Sequence, residues 1–164
     1  MIQFSLEQIN RLAPYEVWQH NNDFRFCTDS GIHYTVSFLD DNPIGGCEAY
    51  QFIIGKQESL HAAHDAKVRE TILVILDNFF QQNLKVLLYI CDTHDGREAT
   101  RNRLFLSWFA EHAQKERFTI RTANAKLEQE VIYAAVIIEN RNPLLEAILS
   151  DFDLTVRSLT DKPE

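Results

Sequence analysis

Two stretches of this 164-residue chain bring together polar side chains that could carry out chemistry. Carboxylates and imidazoles bind divalent metals, arginines hold phosphates or carboxylates, and a cysteine in a positive environment can become a nucleophile. If the fold brings both stretches to one place, they form a candidate site for anion binding or hydrolysis. The residues are His61, His64, Asp65, Cys91, Asp92, His94, Asp95, Arg97 and Arg101.

The elements around these residues predict that they meet at one edge of a sheet. Apolar side chains at helical spacing indicate a helix within Leu60–Gln82. Lys85–Cys91 has almost no polar alternation, which is typical of a central strand, and Arg97–Lys115 follows as a second helix. Both connections are short, so both helix N-termini are expected beside the C-terminal end of the strand. The second helix should face the core with Leu104, Phe105, Trp108 and Phe109.

The commoner interpretation of such charges is structural. In it, Asp65 forms an ion pair with Arg97 or Arg101 that joins the two helices. An aspartate that follows the strand, either Asp92 or Asp95, caps the second helix near its positive end. No catalysis follows from this arrangement.

A metal site is the first functional alternative. His61, His64 and Asp65 fall on or beside the apolar stripe of the first helix, at spacings that place neighbours on one face. The local string HAAHD is not a recognised zinc motif, so His61 and Asp65 are weak metal candidates. Arginines nearby would hold an anionic substrate. The resulting hypothesis is a metal-assisted phosphoester hydrolase that uses His61, Asp65, Asp92, Arg97 and Arg101.

Two further alternatives need no metal. Arg97 and Arg101, together with the N-terminus of the second helix, could bind a phosphate or carboxylate without catalysis. Cys91 beside His94 could act as a nucleophile, because a helix N-terminus and arginines favour the thiolate. Cysteine is also one of the residues most often buried as a small apolar group, which favours the inert role.

The N-terminal part of the chain predicts a short helix and then a four-stranded antiparallel meander. Ser5 and Gln8 have the spacing of a capping box at the start of the helix, and Pro14 ends it. Asn21-Asn22 tolerates the positive φ of a tight hairpin. The predicted elements are the helix Ser5–Leu12 and the strands Tyr15–His20, Asp23–Asp29, Ile32–Phe38 and Cys47–Ile54.

Two other features of this part could be mistaken for sites. Asp40–Gly46 (DDNPIGG) has the composition of a loop, and its glycines make a turn rather than a phosphate loop because no Gly-Lys-Ser/Thr follows. Aromatic residues along the strands could line a ligand-binding sheet face, although such alternation more often marks core. These aromatic residues are Trp18, Phe24, Phe26 and Tyr34.

The C-terminal part adds two strands and a helix, which completes an α+β prediction. Arg117–Ala123 and Glu130–Glu139 are the strands. Asn142 caps the helix, with Pro143 in its first position. We expect a mainly antiparallel sheet of about six to seven strands with helices packed on one face. A single domain over residues 1–155 would then end in a loose tail, 156–164. The apolar side of the last helix is Leu144, Leu145, Ile148, Leu149 and Phe152.

Composition excludes several classes of function. The chain has 16 basic and 24 acidic residues, a net charge of −8, which argues against a nucleic-acid surface and against binding to anionic lipid. No apolar run reaches the length of a membrane span, and no secretory signal is visible, so we expect a cytoplasmic protein. Cys27, Cys47 and Cys91 form an odd, unpatterned set that predicts reduced thiols. No cofactor motif is present.

Three strings in the chain resemble a known family. They are FRFCTDSGIHYTVSF, DAKVRETILVILDNFF and YICDTHDGREATRNRLFLSWF. The pattern, which runs from Tyr15 to Pro143, is similar to a family of small uncharacterised proteins found mainly in Bacteroidetes, a domain of unknown function. The resemblance implies a compact bacterial cytoplasmic domain and no particular chemistry.

Three hypotheses about function stay open at this point. The first is a non-enzymatic intracellular domain that binds a protein partner or a small anion, either alone or as a homodimer formed through an exposed strand edge. The second is the phosphoester hydrolase described above. The third, which rests only on the small size and acidity of the chain, is an accessory partner in a bacterial defence or toxin–antitoxin pair. The first is preferred, because no catalytic signature accompanies the polar residues.

Overall fold

The computed structural model describes residues 2–57, 65–92, 104–111, 116–127 and 130–160. Within these residues the chain forms four helical segments and seven strands. In chain order they are α1 (Leu6–Leu12), β1 (Val17–His20), β2 (Asp23–Cys27), β3 (His33–Ile44), β4 (Cys47–Lys56), α2 (Ala66–Gln82), β5 (Val86–Asp92), α3 (104–111), β6 (Phe118–Leu127), β7 (Glu130–Glu139) and α4 (Leu145–Thr160).

The strands make one mostly antiparallel sheet in the order β1-β2-β3-β4-β5-β7-β6, which confirms the α+β class. The first four strands follow chain order, as the meander predicted, and Asn21 takes the positive φ of 55° that its turn needs. β4 and β5 are parallel, because α2 carries the chain from one end of the sheet back to the other between them.

The chain divides into two compact units. The first unit contains residues 1–39 and 52–84, and the second contains residues 40–51 and 85–164. The expectation of a single domain over residues 1–155 stays a prediction.

Aromatic side chains form the core of the first unit. Phe24, Phe26 and Phe38 come from alternate positions of β2 and β3, and each is 2 % exposed or less. Phe79 of α2 stacks on Phe38 with ring centroids 5.4 Å apart and also meets Phe4 from the segment before α1. Every second side chain of the strands therefore packs against the side chains on one face of α2, and together they form one aromatic layer.

Asparagine side chains fasten the N-terminal segment within this unit. The Asn78 Oδ1 accepts from the backbone N–H of Ser5 at 2.8 Å, and the Asn83 Oδ1 accepts from that of Gln3 at 2.9 Å. Both asparagines are nearly fully buried, so these bonds satisfy polar groups that burial would otherwise penalise. Ser5 caps α1 by accepting from the backbone N–H of Gln8, as predicted.

An aliphatic cluster joins α4 to the strands of the second unit. Ile148, Leu149 and Phe152 of α4 pack against strand residues that share one face of the sheet. The Asn142 Oδ1 accepts from the backbone N–H of Leu144 at 2.9 Å in the turn before α4. Because α4 begins at Leu145, the predicted cap at Asn142 and the predicted first position at Pro143 are both two residues early. The strand residues of the cluster are Cys47, Ala49, Val86, Leu88, Val136 and Ile138.

The second unit carries helices on both faces of its strands. Phe109 of α3 contacts Phe118, whose position in register with Glu139 places it on the face opposite Val136 and Ile138. The prediction of helices on one face is therefore wrong for α4. The consecutive apolar residues 135–138 of β7 are buried on both faces of the sheet, and each face needs its own cover.

Several predicted boundaries and faces are also corrected. The predicted loop Asp40–Gly46 is mostly strand, because β3 continues to Ile44 and only Gly45-Gly46 turn the chain. α4 continues to Thr160, since Val156 packs against the aliphatic cluster and extends the apolar side of the helix into the predicted tail. Leu104 and Leu144 were expected to face the core, yet they are 65 % and 37 % exposed. In α3 the buried face includes Leu106 in place of Leu104.

The Gly45-Gly46 turn lies against α4. Gly45 has a φ of 57° and donates its backbone N–H to Oδ2 of Asp151 at 2.7 Å. A Cβ on Gly45 would overlap the backbone of Ala147 in α4, whereas one on Gly46, at φ 81°, would meet nothing within 4 Å. Both glycines have a positive φ, which favours glycine at each position. Only Gly45 must also lack a side chain so that the turn can pack against α4.

These neighbouring glycines allow a matched test of that close approach. Gly46→Ala should cost about 1–2 kcal/mol in the free energy of unfolding, because alanine is strained at positive φ. Gly45→Ala should cost about 1–3 kcal/mol more, because the added methyl group overlaps the α4 backbone. Urea unfolding of both variants measures the difference, and equal losses would contradict a tight contact between the turn and α4.

Candidate functional site

The structure describes the side chain of only one of the nine predicted site residues, Asp65. Cys91 and Asp92 occupy the last two positions of β5, with their side chains outside the described part. The convergence of the cluster therefore stays a prediction. The predicted residues that lie outside the described part are His61, His64, His94, Asp95, Arg97 and Arg101.

Asp65 is the N-cap of α2 and does not lie on a helical face. The helix begins at Ala66, so the predicted placement of Asp65 on the inward stripe of a longer helix is wrong. Its Oδ1 accepts from the backbone N–H of Lys67 at 2.9 Å, which satisfies one of the exposed donors of the first turn. Its Oδ2 accepts from the hydroxyl of Tyr15 at 2.5 Å. Asp65 thus fixes the start of α2.

The Tyr15 hydroxyl belongs to a small polar cluster in the first unit. The backbone N–H of Asp29 donates to it at 3.5 Å. Lys67 places its Nζ 5.6 Å from the centre of the Tyr15 ring and 3.4 Å from Oδ2 of Asp29. The ring itself stacks on Phe26. Burial, followed by the hydrogen bond to Asp65, raises the pKa of Tyr15 from 10.0 to about 12. Tyr15 therefore stays protonated at neutral pH and acts as a donor.

A metal site finds no support in the described residues, which contain no group of three or more His, Cys, Asp or Glu side chains that could hold an ion. Glu139, at the end of β7, is 4 % exposed and lies 3.1 Å from the Nε of Arg141 and 3.5 Å from that of Arg117. The arginines balance this buried carboxylate. Among the described groups, charge serves to hold elements together.

The outer face of the meander exposes three large apolar side chains of the first unit. Trp18 of β1 is 52 % exposed, Leu39 of β3 is 49 % exposed and Ile53 of β4 is 40 % exposed. The strand register aligns Trp18 with Arg25, and Arg25 with Thr35. Gly55 lies beside Thr35, because a Cβ at Gly55 would approach the Thr35 hydroxyl oxygen at 2.6 Å. We call Trp18, Arg25, Thr35, Ser37, Leu39, Ile53 and Gly55 the open face.

Trp18 lies on a different face of the sheet from the other aromatic residues that the sequence analysis considered for a ligand-binding face. Phe24 and Phe26 are fully buried on the core side of β2, and Tyr34 stacks on Phe26. Trp18 points to the opposite side, because it pairs with Arg25, whose position in β2 lies between the two phenylalanines. The structure thus separates two buried phenylalanines and one half-buried tyrosine from one exposed tryptophan.

The sequence analysis did not identify Leu39 and Ile53 as exposed residues, although the sequence pattern around each of them indicates it. Each is one of a run of consecutive apolar residues in a strand: Leu39 follows Phe38, and Ile53 lies between Phe52 and Ile54. Because neighbouring side chains in a strand point to opposite faces, such a run must place at least one apolar side chain outside the core. Val17-Trp18 shows the same signal in β1.

Comparison with known sequences and structures adds a family and no chemistry. The sequence profile of one family, described as "Family of unknown function (DUF6169)", matches residues 64–154, slightly more than half of the chain. No curated protein and no solved structure matches. This confirms the resemblance to a domain of unknown function; the bacterial origin stays an expectation. No helix in the described part of the chain is long and apolar enough to cross a membrane.

The hydrogen bond between Tyr15 and Asp65 predicts a specific loss of stability at alkaline pH. The pKa of Tyr15 rises from 10.0 to about 12 on folding, so the unfolded chain releases this proton first. The contribution of Tyr15 to stability is therefore full below pH 10.0 and is lost as the pH rises towards 12. Urea unfolding across this range should show a steeper decline for the parent chain than for Tyr15→Phe.

Two comparisons make that test specific. At neutral pH, Tyr15→Phe should lose about 1.5–3 kcal/mol, because it removes the hydroxyl's hydrogen bond to the Asp65 carboxylate. Asp65→Asn retains an acceptor but removes the charge. Its free energy of unfolding should therefore fall less steeply with rising pH than that of the parent, and more steeply than that of Tyr15→Phe. Parallel curves for parent and Tyr15→Phe would show that the hydroxyl does not hold its proton in this way.

Proposed function

We propose that this chain, which belongs to the DUF6169 family of unknown function, is a binding module whose partner is another protein docked on the open face. The observation that carries the proposal is the exposure of Trp18, Leu39 and Ile53 on the side of the meander opposite its aromatic core. Isolated exposed apolar residues are ordinary, but here three large ones share one sheet face, with polar residues of β2 and β3 between Trp18 and the other two.

The shape of the open face favours a protein over a small molecule. Small ligands bind in concave sites that enclose most of their surface, whereas this face is the outside of a strand meander. Gly55 has no side chain, and the side chain of Thr35 beside it is short. A flat partner surface can therefore approach the strands closely between the larger side chains.

The residue types on the open face suit a protein interface. Tryptophan and arginine are the residues that most often dominate the energy of such interfaces, and here Trp18 and Arg25 are cross-strand neighbours. Trp18 has only two rotatable side-chain bonds and stands on a strand, so little conformational entropy is lost when it is covered. Arg25 is exposed, and its guanidinium would pair with a carboxylate or a carbonyl group of the partner. Such a pair would fix the orientation in which the partner binds.

The phosphoester hydrolase stays a hypothesis from the sequence. Of the residues it would use, only Asp65 has a described side chain, and both of its oxygens already accept hydrogen bonds. No contact among the described residues favours hydrolysis over binding. The small-anion alternative has the same standing, because it depends on Arg97 and Arg101, which lie outside the described residues.

Truncation of Trp18 tests the proposal. A photo-crosslinking residue at Thr35 in the full chain, expressed in its host, would label a protein seated on the open face, and mass spectrometry would identify it. Binding of that purified protein should weaken at least about tenfold in Trp18→Ala, which corresponds to about 1.4 kcal/mol or more. Isothermal titration calorimetry provides the measurement.

A matched control separates docking from a general loss of apolar surface. Leu12 is 67 % exposed on α1 and does not belong to the open face, so Leu12→Ala should bind as the parent does. Both variants should retain the unfolding free energy of the parent within about 0.5 kcal/mol, because the side chains are exposed. Equal weakening by the two variants, or labelling only from positions outside the open face, would refute the proposal.

A further inference from the structure

The two edge strands of the sheet, β1 and β6, differ in length and in whether another element pairs with their outward backbone groups. At the β1 edge, the side chain of Asn10 binds both backbone groups of Val17: its Oδ1 accepts from the N–H at 2.7 Å and its Nδ2 donates to the carbonyl at 3.0 Å. A side chain of α1 thus satisfies the outward backbone groups of one residue in a strand of only four residues. β6 forms the other edge and has ten residues, with an unbroken register to β7 from Phe118 to Leu127.

The register shows which backbone groups of β6 face outward. The N–H of Asn140 donates to the carbonyl of Arg117, so Arg117 and its alternate successors Thr119, Arg121 and Ala123 direct their backbone groups to β7. The residues between them direct theirs to the outer edge. For Ile120, Thr122 and Asn124, no group in the described part of the chain pairs with these outward N–H and carbonyl groups.

β6 also lacks most of the devices that protect an edge strand. It contains no proline or glycine, it has no bulge, and none of its residues is acidic. Its charged residues are Arg121 and Lys126, and Arg121 is already paired, with its Nη1 2.5 Å from Oδ2 of Asp153. Such an edge is suited to pairing with another strand.

We propose that β6 pairs antiparallel with β6 of a second copy of this chain, with the two-fold axis passing between the two Thr122 residues. This interface lies in the second unit and goes beyond the proposed function, which concerns the open face of the first. Outward groups can meet only outward groups, so Thr122 faces its copy and Ile120 faces Asn124 of the second copy. Phe118 then lies opposite Lys126, and all outward residues of β6 are paired.

The neighbouring registers are less favourable. Centring the axis on Arg121 would place two arginines directly opposite each other at the closer type of cross-strand pair, which is unfavourable for like charges. Centring it on Ala123 would leave Phe118 beyond the paired segment. The register centred on Thr122 places Arg121 opposite Ala123 and separates the cations, so it is self-complementary as a two-fold interface requires.

The oligomeric state and amide exchange of the full chain test the proposal. Sedimentation should give twice the 19.1 kDa of one chain at high concentration, with dissociation on dilution. Thr122→Pro should be monomeric and folded, because it removes an outward N–H that β7 does not use. The matched variant Thr122→Val keeps that N–H and should dimerise like the parent. A parent that is monomeric throughout, or a Thr122→Pro that remains dimeric, would overturn the proposal.

Hydrogen exchange keeps the test decisive if Thr122→Pro fails to fold. In the parent chain, the amides of Ile120, Thr122 and Asn124 should become protected as protein concentration rises, and exchange freely on dilution. Protection of these amides that is independent of concentration would exclude pairing between copies at this edge. Trp18→Ala should leave the dimer unchanged, so the failure of either proposal can be recognised separately.

Discussion

Every strand of this sheet must divide its side chains between two faces, and the rest of the structure depends on how each face is covered. In the first unit, β2 and β3 give their aromatic residues to one face, where Phe38 meets Phe79 of α2. The opposite face keeps Trp18, Leu39 and Ile53 in contact with solvent. In the second unit, β7 has apolar side chains on both faces, and α4 covers one of them. A one-sided and a two-sided burial pattern thus lie within one sheet.

Periodicity was enough to predict most of the elements but not their exposed apolar residues. The α+β class, the meander, the central strand β5 and the cap at Ser5 follow from local chemistry that acts over a few residues. The course of Asp40–Gly46 did not follow, because composition indicated a loop while pairing within the sheet extends β3 to Ile44. Tertiary pairing here outweighs the turn preference of Asp, Asn and Pro.

The candidate polar site illustrates a different limit of sequence reasoning. Placing Asp65 on a helical face required the helix to start before it, yet aspartate is among the residues that most favour the N-cap. The structure uses it in that way, with Lys67 and Tyr15 as donors. Tyr15 lies fifty residues away in the chain, and no local pattern predicts a partner at such separation. Capping was predictable from residue type; the tyrosine contact depends on the assembled unit.

The contrast between the two sheet edges follows from how many groups each one presents. At β1 a single amide side chain, that of Asn10, satisfies the donor and the acceptor of Val17. At β6 the outward groups of Ile120, Thr122 and Asn124 recur about every 6.8 Å, the distance of two strand residues. No single side chain spans that series, so water or another strand must satisfy it. A second β6 presents the same spacing in reverse, and its donors and acceptors therefore match without any new structure.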